Sequence, residues 1–296
     1  MEDIIEKQGK IILVAGATGK QGGSVTRHLQ EKGWKVRALT RNPNGKAAQA
    51  LASEGIDIVK GDMGDLQSLE KAMDNTYGVF SVQDFWIVGV KEEIQQGKNM
   101  ADAAKKAGVQ HFVYSSAAGA DRESGVDHFD SKFVIEEYVR NIDLQATILR
   151  PVGFMENYHI PCVENGILRG KLAHPIVPDK KIQLIPTDDI GALVAAAYEK
   201  PEKFIGLAFD IASDELTNPE IAQTFGRVMG RPIRYNKLPM LIVRLFMGKE
   251  LHQMFRWINK VGYDVDIPAL RSNYPEVKFT SLEEWLRRDG WDKRAS

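Results

Sequence analysis

The chain has 296 residues, 39 basic against 40 acidic, and a single cysteine, Cys162. That length supports one large α/β core or a core with an appendage, and the near-neutral charge gives no general pull toward nucleic acid or anionic membrane. One cysteine excludes an intrachain disulfide framework and a multi-cysteine metal site, and the six histidines lack zinc-ligand spacing, so no metal is expected.

In chain order, short apolar runs predict strands over 10–15, 35–40, 57–60, 78–82, 112–115 and 146–149. Amphipathic runs between them predict helices over 22–32, 45–53, 66–73, 92–107 and 132–140. Such alternation implies a doubly wound parallel sheet with helices on both faces. Ligands on these sheets sit beyond the carboxyl ends of the strands.

The second half changes character. Connections marked by Gly166, Gly170, Pro175, Pro178 and Pro186 lead to a helix over 188–200. A strand near 208–211, a helix from 218 or 219 to 229, a strand near 233–237 and an apolar helix through 241–246 follow. The last helix, 282–288, opens on a capping box made by Ser281 and Glu284. The expected division is 1–151 for the first domain and 152–296 for a smaller, partly helical lobe that keeps contributing to it. Residues 1–10 carry no signal-peptide core and no apolar run reaches bilayer length, so a cytoplasmic protein is expected.

The densest signal is Ile11 to Gly23. A branched apolar strand breaks at Gly16, passes Ala17-Thr18-Gly19-Lys20-Gln21 and enters a helix at Gly22-Gly23. Unpaired N–H groups and the positive end of the helix dipole then point at one spot, which suits a pyrophosphate. Gly16 permits the turn, Gly19 lets the phosphates approach, and Gly22 lets helix and strand pack closely. The spacing is GxxGxxG, and the expected ligand is a nicotinamide dinucleotide.

No acid occurs between Trp34 and Gly45, where NAD sites hold the ribose 2′-hydroxyl. Arg41 stands there, followed by Asn42 and Lys46, which suits the 2′-phosphate of NADP(H). Arg37 points to the other face or to solvent. After the third strand, Asp62-Met63 offers an acceptor to adenine or an ordinary helix cap. After the fourth, Val82 and Gln83 run under the second ribose. Phe85 and Trp86 either wall a pocket or pack in the core.

These residues resemble the NmrA-like family of the atypical short-chain dehydrogenase/reductase superfamily. The resemblance rests on Gly16 to Gly23, Thr40-Arg41-Asn42-Pro43, Gly61-Asp62, His128-Phe129-Asp130-Ser131-Lys132 and Phe154-Met155-Glu156-Asn157, and covers most of the chain. It implies an NADP(H)-preferring Rossmann domain with a C-terminal lobe. It also implies one of two roles: a redox sensor controlling other proteins, or a reductase of quinones and dyes. Active short-chain dehydrogenases carry Tyr-x-x-x-Lys on one helix face. Here Lys132 is kept as the nicotinamide-ribose ligand, and His128 occupies the tyrosine position. The assisting serine would fall within Ser115-Ser116-Ala117.

Three readings of His128 stand open: a general acid, a helix N-terminal residue without chemistry, or a ligand contact in a sensor. Phe154 lies against the nicotinamide or in the core. Cys162 reads as a buried small apolar residue. The primary expectation is an NADP(H)-binding regulator with a protein partner, since the tyrosine is missing. The alternative is an NADPH-dependent reductase of a small conjugated acceptor. Direct nucleic-acid binding is not expected.

Overall fold

The computed structural model describes residues 9–294. Its strands are β1 Ile11–Val14, β2 Lys35–Thr40, β3 Asp57–Lys60, β4 Thr76–Ser81, β5 His111–Ser115 and β6 Ala146–Pro151. Then come β7 Gly153–Phe154, β8 Lys171–His174, β9 Lys181–Ile185, β10 Ala208–Ile211, β11 Asp214–Thr217 and β12 Arg234–Lys237. Seven form one sheet in the order β10-β6-β5-β4-β1-β2-β3, with every pairing parallel. The order reverses between β1 and β4, which places the ligand crevice beyond their carboxyl ends. The fold is therefore the expected Rossmann-type α/β sheet.

Alternation along β1 shows why it lies at the centre. Ile12 and Val14 face a core shared with the Lys20–Glu31 and Thr187–Glu199 helices. Leu13 and Ala15 face a second core, under the Phe85–Lys106 and Asp127–Asn141 helices. Side chains of opposite parity must bury on opposite faces, and Ile12, Leu13 and Val14 each contribute about 1.5–3 kcal/mol. The Thr187–Glu199 helix packs along Lys20–Glu31, and β10 pairs with β6. The chain thus returns to the first sheet after residue 152.

A third core holds the lobe, around Phe225, Trp285 and Trp291. Several expectations change here. The stretch 166–186 is not merely connecting: it contains β8 and β9 as well as the end of the Pro161–Leu168 helix. The apolar run after 240 is a short helix, Met240–Ile242, and a π-turn, Val243–Met247, followed by an unforeseen helix, Gly248–Lys260. The helix expected at 92–107 begins at Phe85 and is broken at Gly89 (φ +76°). Cys162 is exposed, because it sits on the outward side of the first turn of its helix. The final helix and its Ser281–Glu284 capping box are as expected. No helix among the described residues is long and apolar enough to cross a membrane.

His111, on β5, is fully buried, with Nε2 2.8 Å from Thr147 Oγ1. Burial pushes its pKa down from 6.5 to about 4. As pH falls, the unfolded chain takes this proton first. The histidine's contribution is therefore whole above pH 6.5 and is lost as pH falls toward 4, on the order of 3 kcal/mol. The expected result is that wild type and His111→Gln converge in urea midpoint between pH 7 and pH 4.5. A constant gap would show that His111 does not titrate between the two states.

Candidate dinucleotide and proton-transfer site

The turn after β1 is built by clash avoidance. Gly16 adopts φ +65°, and a Cβ on Gly22 would lie 2.2 Å from the Gly16 carbonyl oxygen. Only a bare Cα lets the helix start so close to the strand. Gly19 caps the Lys20–Glu31 helix with no side-chain hydrogen bond, and the first turn carries no acid. Its leading N–H groups are left for a ligand, as a pyrophosphate requires. The loop is pinned from outside: Ser115 Oγ donates to Gln21 Oε1 at 2.7 Å, and Lys20 Nζ donates to the Glu156 carbonyl at 3.2 Å. Ala17 is buried and Thr18 exposed.

At the end of β2, Arg41 lines a cavity of about 270 Å3 together with Lys60, Asp62, Asp65 and Lys71. Three cations against two carboxylates leave that space net positive. Asn42 and Lys46 are exposed and do not line it. Arg37 turns away to Asp57 at 2.7 Å and to carbonyls of Ala72 and Asp74. Asp62 is not the helix cap; its carboxylate accepts from Gly64 N–H, while Asp65 caps Leu66–Ala72.

The end of β4 gathers the next group. Gln83 is buried, its amide donating to Ser81 Oγ at 2.9 Å and lying 3.6 Å from Met63 Sδ. Its Oε1 has no protein partner. Val82 is half-buried and lies against the Gly16 turn. Lys132 Nζ reaches the Gln83 carbonyl at 3.4 Å and Glu93 Oε1 at 2.8 Å. Glu93 is fully buried and also accepts from Ser131 Oγ. Nothing in its sequence context marked Glu93 as the partner of Lys132. Of the two serines, Ser115 serves the glycine loop, whereas Ser116 donates to the buried Glu136.

His128 stands one turn before Lys132 on the Asp127–Asn141 helix, among the rings of Phe85 (5.5 Å), Trp86 (5.1 Å) and Phe129 (4.6 Å). Trp86 is 58 % exposed and walls the outer side of the ring, while Phe129 on the inner side belongs to the buried core of the lobe. Glu250 comes from the lobe: its Oε1 accepts the His128 backbone N–H at 3.0 Å and also pairs with Nδ1. Burial lowers the His128 pKa, while Glu250 and Glu93 raise it and Lys132 lowers it. Glu250 was missed because 122 positions separate it from its partner. Phe154 is half-buried on β7, packed against the first core, and Glu156 two residues on caps the Thr187–Glu199 helix through Thr187 N–H. Among the described residues no cluster of His, Cys, Asp or Glu could hold a metal ion.

Comparison with known proteins agrees with this architecture. The model of the NmrA-like family matches residues 8–286. An NmrA-like domain-containing protein of Dictyostelium discoideum is 28 % identical, covering 94 % of this chain and 97 % of its own. The NmrA-like oxidoreductase FrzB of a Cladobotryum species is 31 % identical over 76 % of this chain and 75 % of its own. Among solved structures, an NADPH-dependent quinone oxidoreductase of Escherichia coli, complexed with NADPH, superposes with a TM-score of 0.79. It is 23 % identical and covers 94 % of this chain and 99 % of its own.

Proposed function

The chain belongs to the NmrA-like family, and from that premise we propose that it is an NADP(H)-dependent reductase of a small conjugated acceptor. Residues 1–151 carry the dinucleotide and 152–296 form most of the acceptor side. The leading N–H groups of the Lys20–Glu31 helix take the pyrophosphate, Arg41 the 2′-phosphate, and Lys132 the nicotinamide ribose. The uncapped helix start and the cradle at Gly22 fit that group. When bound, the reduced nicotinamide supplies the hydride. The protein supplies orientation, and Lys132, held by Glu93, presents a fixed ammonium.

One observation carries the reductase reading: the position of the missing tyrosine holds a histidine whose ring is gripped by a carboxylate beside an exposed tryptophan. Relatives named as oxidoreductases support it. The regulatory reading has its own support in the Met240–Met247 segment, where Leu241, Leu245 and Phe246 stand exposed, Phe246 at 83 %. Such a patch suits a protein partner. Loss of absorbance at the reduced-nicotinamide band with a panel of quinones and azo compounds separates the two. Turnover supports the reductase; tight binding without turnover supports the sensor.

Arg41→Asp tests the cofactor end. It is expected to weaken NADPH by about tenfold to a hundredfold, the worth of a charge-assisted contact, and NADH by less than about threefold. Titration of both nucleotides by fluorescence would check it. Equal losses would remove Arg41 from the 2′-phosphate.

A further inference from the structure

The Gly248–Lys260 helix of the lobe reaches the His128 helix through Glu250 and Trp257, and the loop just before that helix through Gln253. Glu250 holds His128, Gln253 donates to the Gly125 carbonyl at 3.3 Å, and Trp257 meets Phe129 edge-on at 5.5 Å. The first of these does more than dock. A helix beginning at Asp127 without a side-chain cap from its own N-cap residue leaves the His128 N–H without a partner within the helix. Glu250 Oε1 accepts it, and the same oxygen meets Nδ1 of the ring. A carboxylate that is ionised can only accept, so Nδ1 must carry the hydrogen. The other ring nitrogen, Nε2, has no protein partner among the described residues and lies on the side of the ring away from Glu250.

We propose that Glu250 is the positioning residue for His128, fixing Nδ1 as the protonated nitrogen so that Nε2 hands a proton to a heteroatom of the acceptor. This rests on the reductase reading. The acceptor class is then a conjugated carbonyl, imine or azo compound. One atom of its π-system gains a hydride, with its electron pair, from the reduced nicotinamide. The conjugated oxygen or nitrogen at the far end takes the proton. The Nε2–H bond breaks and its electrons stay on the ring, an O–H or N–H bond forms, and neutral His128 recovers a proton from water. NADPH is oxidised by two electrons, and the acceptor is reduced by the same two.

The groups facing the ring set the pH at which this works. Glu250 from the lobe and Glu93 from the Phe85–Lys106 helix favour the imidazolium. Lys132 on the same helix and burial between Phe85, Trp86 and Phe129 oppose it. Glu250→Gln keeps an acceptor for the helix start and removes only the charge, so the helix cap survives. His128 should then lose its proton at lower pH, by about one to three pH units, as expected for an opposite charge in contact.

The test uses the 296-residue chain labelled with 15N-histidine, with no acceptor present. Wild type should show His128 with a protonated Nδ1 and an unprotonated Nε2 at high pH, and the titration midpoint should fall in Glu250→Gln. The alkaline limb of turnover, measured separately with a quinone or azo dye, should fall with it. A protonated Nε2 in wild type, or a midpoint unmoved in an active variant, overturns the role of Glu250 alone. A moved midpoint in a protein that turns over no acceptor overturns the reductase reading, and the proton transfer with it.

Discussion

Gly22→Ala is expected to abolish dinucleotide binding and to destabilise the fold by about 3 kcal/mol or more, beyond the usual range for one added methyl group. The reason is what the methyl meets. The nearest atoms would be Gly16 O at 2.2 Å, Gly16 C at 2.3 Å and Ala15 O at 2.7 Å, all main chain. No rotamer relieves such a clash; the helix must move off the strand and carry its N–H groups away from the phosphates. Gly23→Ala is the control. Its Cβ meets only Ala17 O at 3.3 Å, and alanine is favoured over glycine within a helix by about 1 kcal/mol. Thermal unfolding and NADPH titration of the pair check the contrast. Equal behaviour would mean that the approach of helix to strand is not what demands glycine at 22.

Arg150→Met is expected to cost about 3–5 kcal/mol without a direct effect on the cofactor loop. Arg150 leaves β6 with its guanidinium almost fully buried, donating through Nε and Nη2 to the two oxygens of Glu136 at 2.9 and 2.7 Å. It also pairs with Asp121 and lies 3.8 Å from Asp210. Glu136 is wholly buried. Without Arg150 it would keep only Arg140 and the Ser116 hydroxyl, and Asp210, already pushed up to about 6 by burial, would lose one of its two cations. The second arm is the double variant Arg150→Met/Glu136→Leu, which removes both charges and should recover part of the loss. Urea unfolding of Arg150→Met, Glu136→Leu and the double variant decides it. A double variant as weak as the sum of the two singles would show that the two charges are not coupled.

Local signals made the first half legible. The strand-turn-helix at Ile11–Gly23 needs only neighbours in sequence, so its strand, turn and helix could be read directly. β2 and β3 matched to the residue, because Val36, Ala38 and Leu39 in one and Ile58-Val59 in the other are short apolar stretches bounded by polar residues. The lobe failed for the opposite reason. β11, Asp-Glu-Leu-Thr, is polar and becomes a strand only by pairing with β9, where Lys181 meets Glu215 across the ladder. The Gly248–Lys260 helix was legible and overlooked: Leu251, Met254, Phe255 and Ile258 recur at helical spacing. At the site, the glycine loop and the cation at Arg41 came from spacing. The partners that give His128 and Lys132 their settings, Glu250 and Glu93, lie on other elements, and only the folded chain brings them close.

The return of the chain to its first sheet governs the order in which a ribosome can finish this molecule. The phosphate loop emerges first, yet β6 gains its outer neighbour only once Ala208–Ile211 has been made. The Lys20–Glu31 helix likewise waits for Thr187–Glu199 to cover it. Until then the nascent chain carries an open strand edge and a bare apolar helix face, the two surfaces that attract chaperones and aggregation alike. Both surfaces are closed only by residues 187–211, so a chain cut before them could not bury the first half's sheet edge and helix face.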